Sequence, residues 1–366
     1  MAGKDLPGSY DEWVTAARAA LDGERYSYVT SAAGGGQTAN GNLEAFKRWK
    51  LVPRVLRDVS NRSTALTLLG IKASAPLFFS PIRGLDYIRH GGDISVARVA
   101  ADLGIPFVIS SFATVPLEKV AEVMGSAPRW FQLYPGKDKE IMKSLVHRAE
   151  TSGYTAVVVT VDKAENYPHY DAPKGHEFER HGFELYFSDP VFRARFEGAP
   201  ERKFEAAYKY WKDVRLAPGL PLTELRMIIE ETRLPVLVKG ILSSEDAVLA
   251  VKEGAAGLVV SNHGGRALEG EVASLDALLE VRKVLKPDFP VLLDSGVRSG
   301  TDMLKALALG ADAVMIGKAY ALALGVMGEE GVRRATKGLI AEFDAAMALC
   351  GATNLAEIGR TMVTSG

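Results

Sequence analysis

Three things are scarce in this 366-residue chain, and each shortage narrows its class. There is one cysteine, Cys350, so no intramolecular disulfide can form, and the fold suits a reducing compartment. There is no excess of either charge: 44 Lys and Arg against 45 Asp and Glu leave a formal net charge of −1. That balance gives no electrostatic reason to expect nucleic acid or an acidic membrane surface as a partner. Long apolar runs are missing as well. No window approaches the ~20 apolar residues of a membrane helix, and the opening MAGKDLPGSYDEW lacks the apolar core of a secretory signal. The expectation is a soluble, cytoplasmic protein.

From about residue 75 onward, short apolar runs rich in β-branched residues alternate with amphipathic stretches. The runs are Leu77–Pro81, Phe107–Ser110, Trp130–Leu133, Ala156–Val161, Val236–Gly240, Gly257–Ser261, Val291–Asp294 and Ala313–Ile316. Between them, KDKEIMKSLVHRAETSG places Ile141, Leu145, Val146 and Ala149 on one helical face. SSEDAVLAVKEG opens with a capping serine, Ser243 or Ser244, and closes on Gly254; GTDMLKALALG repeats the form. Eight strand–helix units predict an α/β fold, a (β/α)8 TIM barrel; a doubly wound sheet would show fewer units in this length. Residues 1–74 form an N-terminal segment with one clear helix, Tyr10–Leu21. The longest interruption follows the fourth strand, about 163–220, and is expected to act as a lid, its charge-rich part partly mobile. The whole of 1–366 reads as a single domain.

Chemistry in such barrels sits where strands end and loops begin. After the seventh and eighth strands come DSGVRSG and IGKAY. Their glycines let backbone N–H groups approach an anion, and Arg298 and Lys318 add cations, which predicts a phosphate cradle. The sixth strand ends in SNHGGR. His263 and Arg266 are three apart on a glycine-containing loop, so both can face one small substrate, the imidazole as base and the guanidinium as anion clamp. Asp162, after the fourth strand, is placed to hold the other imidazole nitrogen. Lys239, ending a buried strand, requires an anionic partner. Any one of these alone would be read as structural; four together beside a phosphate site would not.

These residues carry a resemblance. SNHGGR, LVKGI, FQLY and DSGVRSGTDMLKALALGADAVMIGKAY resemble the FMN-dependent 2-hydroxy-acid oxidases and dehydrogenases, most of all the lactate 2-monooxygenases among them. The likeness extends through SYVTSAAGGGQTANGNLEAFKRWKLVPRVLRD and SDPVFRARF and covers nearly the whole chain. It implies FMN as cofactor, with His263 as the base that removes a proton while a hydride leaves for flavin N5. Asp162 would pair with His263, and Arg266 would hold the substrate carboxylate. Tyr28 and Tyr134 would contact substrate. Lys239 would face the flavin N1 and O2 region, and Ser110, Gln132, Thr160 and Ser261 its ring. Arg298, Gly317 and Lys318 would hold the phosphate end; Pro81, Ile82, Arg83, Asp294 and Gly296 complete the expected cofactor contacts. Dioxygen is the expected electron acceptor, decarboxylation of the product is open, and a homo-oligomer, a tetramer, is expected from the resemblance alone.

Two positions depart from the family pattern. Where the family has a second arginine on the substrate carboxylate, this chain has His169, which cannot grip with a two-pronged fork; the lost pair is worth roughly 1.5–3 kcal/mol. Where the family has alanine or glycine against the flavin, this chain has Arg83. It either replaces the missing clamp, marks a substrate that is larger or bears another acidic group, or swings out to an acid such as Asp86. These departures keep an alternative function open: an FMN tailoring oxidase acting on an amine, a non-carboxylate alcohol or a larger intermediate. The run AAGGGQT, 32–38, is expected to loosen the chain near Tyr28. His169, His176 and His181 fit no zinc signature and are read as solvated, so no metal is expected.

Overall fold

Eight short segments close into a parallel barrel in the computed structural model, which describes residues 6–163, 168 and 181–366. The strands are β1 (Leu77–Phe79), β2 (Phe107–Ser110), β3 (Arg129–Leu133), β4 (Val157–Thr160), β5 (Val236–Ile241), β6 (Gly257–Val260), β7 (Val291–Leu293) and β8 (Ala313–Ile316). Each pairs with the next in sequence, and β8 returns to β1 with Val314 opposite Leu77. The eight apolar runs of the sequence are therefore the eight barrel strands.

Alternation along each strand decides what faces where. Phe78, Val108, Trp130, Val158, Leu237, Val259, Leu292 and Met315 share one buried cluster inside the barrel. Their neighbours, such as Leu77, Phe79, Phe131, Val159 and Leu293, belong to a second cluster with the surrounding helices. An antiparallel hairpin, Leu66–Leu68 with Ile71–Ala73, joins the inner cluster from the side where the strands begin. Two residues further along each strand, the inward positions become Ser80, Ser110, Gln132, Thr160, Lys239, Ser261, Asp294 and Gly317. The interior is thus apolar below and polar at the mouth.

The expected helices form, one of them on an expected cap. Lys139–Thr151 buries Ile141, Leu145, Val146 and Ala149. Ser243, rather than Ser244, caps Ser244–Lys252 through its hydroxyl, and Ser299 caps Gly300–Ala308. The N-terminal segment holds α1 (Tyr10–Ala20), with a capping box at Ser9 and Glu12, and two helices that local propensity does not announce: α2 (Gly23–Thr30) and α3 (Gln37–Arg48). Both carry glycine and β-branched or polar residues in the helix, so packing stabilises them, through Tyr28 and Val29 in one and Asn42, Ala45 and Phe46 in the other.

Between β4 and β5 the described part of the interruption is helical: Glu184–Phe187, Pro190–Arg193, Phe204–Val214 and Leu222–Glu230. Instead of the loose charged stretch expected from composition, it is packed around Trp211, which is fully buried among Phe112, Phe183, Tyr186 and Tyr208. Charges such as Arg195, paired with Asp138 at 2.9 Å, lie outside that aromatic cluster, whereas Arg215 lies against it.

Candidate active site

A cavity of about 460 Å³ opens at the polar end of the barrel. Ser110 and Lys239 line it, and Gln132 sits just behind, with Oε1 accepting from the Ser110 hydroxyl at 3.3 Å and Nε2 donating to Thr160 at 3.0 Å. Lys239 Nζ is 3.1 Å from Asp294 Oδ2 and donates to Ser261 Oγ at 2.8 Å. This is the anionic partner its burial demanded. Burial lowers the ammonium pKa, but Asp294 and Asp162 outweigh that and leave it above its ordinary value.

His263 faces the same cavity. Its Nδ1 lies 2.8 Å from Asp162 Oδ1, and its Nε2 lies 3.5 Å from the Tyr134 hydroxyl. Burial raises the Asp162 pKa, yet His263 and Lys239 together hold the carboxyl below the usual carboxylate range. Asp162 is therefore an anion that accepts the Nδ1 proton, which leaves the Nε2 lone pair toward the cavity. Burial also pulls the imidazole pKa below its ordinary value, a shift Asp162 only partly offsets. The ring is a neutral base near neutral pH. Its backbone is strained, with φ +59°, and Ser295 on the next loop is too, with φ +73°. Hydrogen bonds hold both: His263 N–H donates to Ser261 Oγ at 3.0 Å, and Ser295 Oγ accepts from Gly264 N–H and donates to Asp294, each at 2.8 Å.

Arg266 also lines the cavity, donating to the carbonyls of Tyr28 and Ser31 at 2.8 and 3.1 Å. Tyr28 is buried, and its hydroxyl donates to the Arg83 carbonyl at 2.6 Å. The glycine run before α3 does not slacken the chain around Tyr28. Ala33 N–H donates to the Gly265 carbonyl, and Gly35 N–H to Glu269. Gly265 is needed for this docking: a Cβ there would lie 2.6 Å from Ala39 Cα. Asn42 and Asn262 exchange side-chain amide bonds at 2.9 and 2.8 Å, which fastens α3 to the His263 loop.

At the other end of the cavity, Pro81, Ile82, Gly296, Arg298, Gly317 and Lys318 come together. Lys318 Nζ donates to the carbonyls of Thr30 and Ser31 at 3.2 and 3.4 Å; among the described residues no carboxylate stands within ion-pair distance of it or of Arg298. Burial, then Arg266 and Arg298, push the Lys318 pKa down to about 7. The buried Nε of Arg298 has no hydrogen-bond partner. Converging cations without a counter-charge fit a phosphate, and the hydroxyls, amide and ammonium at the other end suit a polar heteroaromatic ring.

The departures now have places. Arg83 lines the cavity and donates through Nε and Nη2 to the His181 carbonyl at 3.1 and 2.8 Å. The Asp86 carboxylate instead faces His90, at 3.2 Å, and His181, at 4.0 Å. His181 is half-buried against Tyr87 rather than solvated, and His169 and His176 lie outside the described residues. Among the lining residues that sequence reasoning missed are Ser80, Phe112, Lys163 and Arg215. Strand alternation could have found Ser80, and Lys163 directly follows Asp162. Burial lowers the Lys163 pKa to about 8, and its ammonium is hydrogen-bonded to the Arg266 carbonyl. Arg215, inside the long interruption, has no readable signal.

Comparison with known proteins gives the family. The FMN-dependent dehydrogenase family model matches residues 17–365. An L-lactate oxidase of Lysinibacillus sphaericus (strain C3-41) is 39% identical over 90% of this chain and 86% of that protein. The human 2-hydroxyacid oxidase 1 is 37% identical over 95% and 94% of the two chains. A crystal structure of mandelate oxidase with (S)-4-hydroxymandelic acid superposes with a TM-score of 0.86 at 31% identity, covering 98% of this chain and 99% of that one. No helix among the described residues is long and apolar enough to cross a membrane. The chain belongs to the FMN-dependent dehydrogenase family and is an oxidoreductase whose cofactor is FMN.

Proposed function

We propose that this protein oxidises a 2-hydroxy acid to the 2-oxo acid and passes the electrons to dioxygen. The observation that carries the reading is the Asp162–His263 pair, which turns a neutral imidazole Nε2 into the cavity beside Tyr134 and Arg266. The names of the relatives, L-lactate oxidase and 2-hydroxyacid oxidase, support the substrate class over an amine or a non-carboxylate alcohol.

His263 Nε2 accepts the proton that the substrate must lose, and Asp162 stabilises the imidazolium that results. Arg266 pairs with the substrate carboxylate, a charge-assisted contact that a neutral substrate would lack. Burial raises the Tyr134 pKa, so its phenol stays protonated and donates to the substrate oxygen. FMN, when bound, supplies the two-electron acceptor that no side chain here provides. Lys239, Ser110 and Gln132 would hold its ring, and Arg298, Lys318 and the glycines Gly296 and Gly317 its phosphate.

Oxygen consumption by the FMN-loaded protein with lactate, glycolate and mandelate tests this reading. An oxidase yields one 2-oxo acid and one hydrogen peroxide per dioxygen. Internal monooxygenation yields instead a shortened carboxylate, carbon dioxide and water. We expect equimolar peroxide; carbon dioxide in its place would reassign the oxygen chemistry, and no turnover with any 2-hydroxy acid would overturn the proposal.

A further inference from the structure

The cavity has a second cationic corner beside Tyr134, apart from the phosphate cradle. Arg215, from the end of the helix Phe204–Val214, lines it with its guanidinium 4.7 Å from the Trp211 ring centroid and 5.4 Å from that of Phe112. Phe112 in turn stacks on Tyr134 at 4.9 Å. Arg83 reaches the same two rings from the β1 loop, at 5.5 Å from Trp211 and 6.0 Å from Phe112, while donating to the His181 carbonyl.

Two guanidiniums over one pair of rings repel each other. Burial, followed by Arg83, lowers the Arg215 pKa to about 10. Among the described residues no carboxylate stands within ion-pair distance of Arg215, and its buried Nε has no hydrogen-bond partner. The aromatic faces compensate part of the cost at Arg215; an anion entering the cavity beside it would compensate the rest. Arg266 already provides for one substrate carboxylate, so this corner is suited to another charge.

We infer that Arg215 and Arg83 form a subsite for a second acidic group on the substrate, so that this enzyme prefers 2-hydroxy dicarboxylic acids to monocarboxylic ones. The inference rests on the 2-hydroxy-acid reading above and narrows it. It also gives the insertion a specificity role, since Arg215 belongs to it and Trp211 sets where Arg215 can lie.

The test compares matched chain lengths on the FMN-loaded enzyme: malate against 2-hydroxybutanoate, and 2-hydroxyglutarate against 2-hydroxypentanoate, each as both enantiomers. Product binding is measured separately, with oxaloacetate and 2-oxoglutarate against 2-oxobutanoate and 2-oxopentanoate, by perturbation of the oxidised flavin spectrum. The wild type is expected to favour the better dicarboxylate about 10- to 100-fold in kcat/KM and in affinity, as for one charge-assisted pair. Arg215→Gln should abolish the preference, and Arg215→Lys, which keeps the charge, should retain part of it. Equal handling of both classes by the wild type would overturn the inference, as would an Arg215→Gln variant that weakens both classes alike. If no 2-hydroxy acid reduces the flavin, the broader proposal fails and this one falls with it. If monocarboxylates serve as well as dicarboxylates, only this one fails.

Discussion

At the scale of single residues, His263 and Lys318 respond to protons in opposite senses. The base form of His263 is present above its pKa, which burial places below the ordinary imidazole value. At saturating FMN, activity should therefore hold steady through neutral pH and fall on the acid side. Asp162→Asn removes the charge that raises this pKa and releases the Nδ1 tautomer. The acid limb should then move lower still while kcat falls by roughly 10²–10⁴-fold, as a pH–rate profile would report. Lys318 must be charged to attract a phosphate. With its pKa near 7, the unliganded protein loses that charge as pH rises. Above pH 7 the phosphate monoester is already a dianion, its second pKa being about 6, so FMN affinity should weaken between pH 7 and 9. Lys318→Arg keeps its charge throughout and should flatten that slope in a fluorescence titration.

The barrel elements were legible because two periodicities coincide. Apolar runs marked the strands, and polar residues at their ends marked the mouth, so His263, Asp162, Arg266, Lys239 and Arg298 could be placed from sequence. Helices α2 and α3 could not, since tertiary contacts rather than propensity stabilise them. Nor could Arg215, because no period links a helix end in a long insertion to a barrel mouth. The SNHGGR loop gives a test of how α3 and the barrel interlock. Gly264 and Gly265 both have positive φ, +72° and +74°, but a Cβ on Gly264 meets nothing within 4 Å, whereas one on Gly265 strikes the Ala39 backbone. Gly264→Ala should cost about 1–2 kcal/mol from conformation alone. Gly265→Ala should cost clearly more, as read from the shift in urea midpoint.

Across the whole molecule, one barrel mouth gathers His263, Arg266, Arg298 and Lys318 around a single cavity, with α2 closing one side through Tyr28 and Val29 and Phe112 of the Trp211 cluster closing another. Near-zero net charge leaves recognition to this local arrangement rather than to a long-range field. Ligand linkage provides a check on that picture: at 100 times its dissociation constant, FMN should stabilise the fold by about 2.7 kcal/mol, visible as a rise in melting temperature. The most direct test of the central claim is anaerobic mixing of the FMN-loaded protein with a 2-hydroxy acid while flavin absorbance is followed. The wild type should bleach, and His263→Gln, with the same flavin content, should bleach at least about 10²-fold more slowly. A wild type that stays yellow with every 2-hydroxy acid, or a His263→Gln variant that keeps pace with it, would contradict the account.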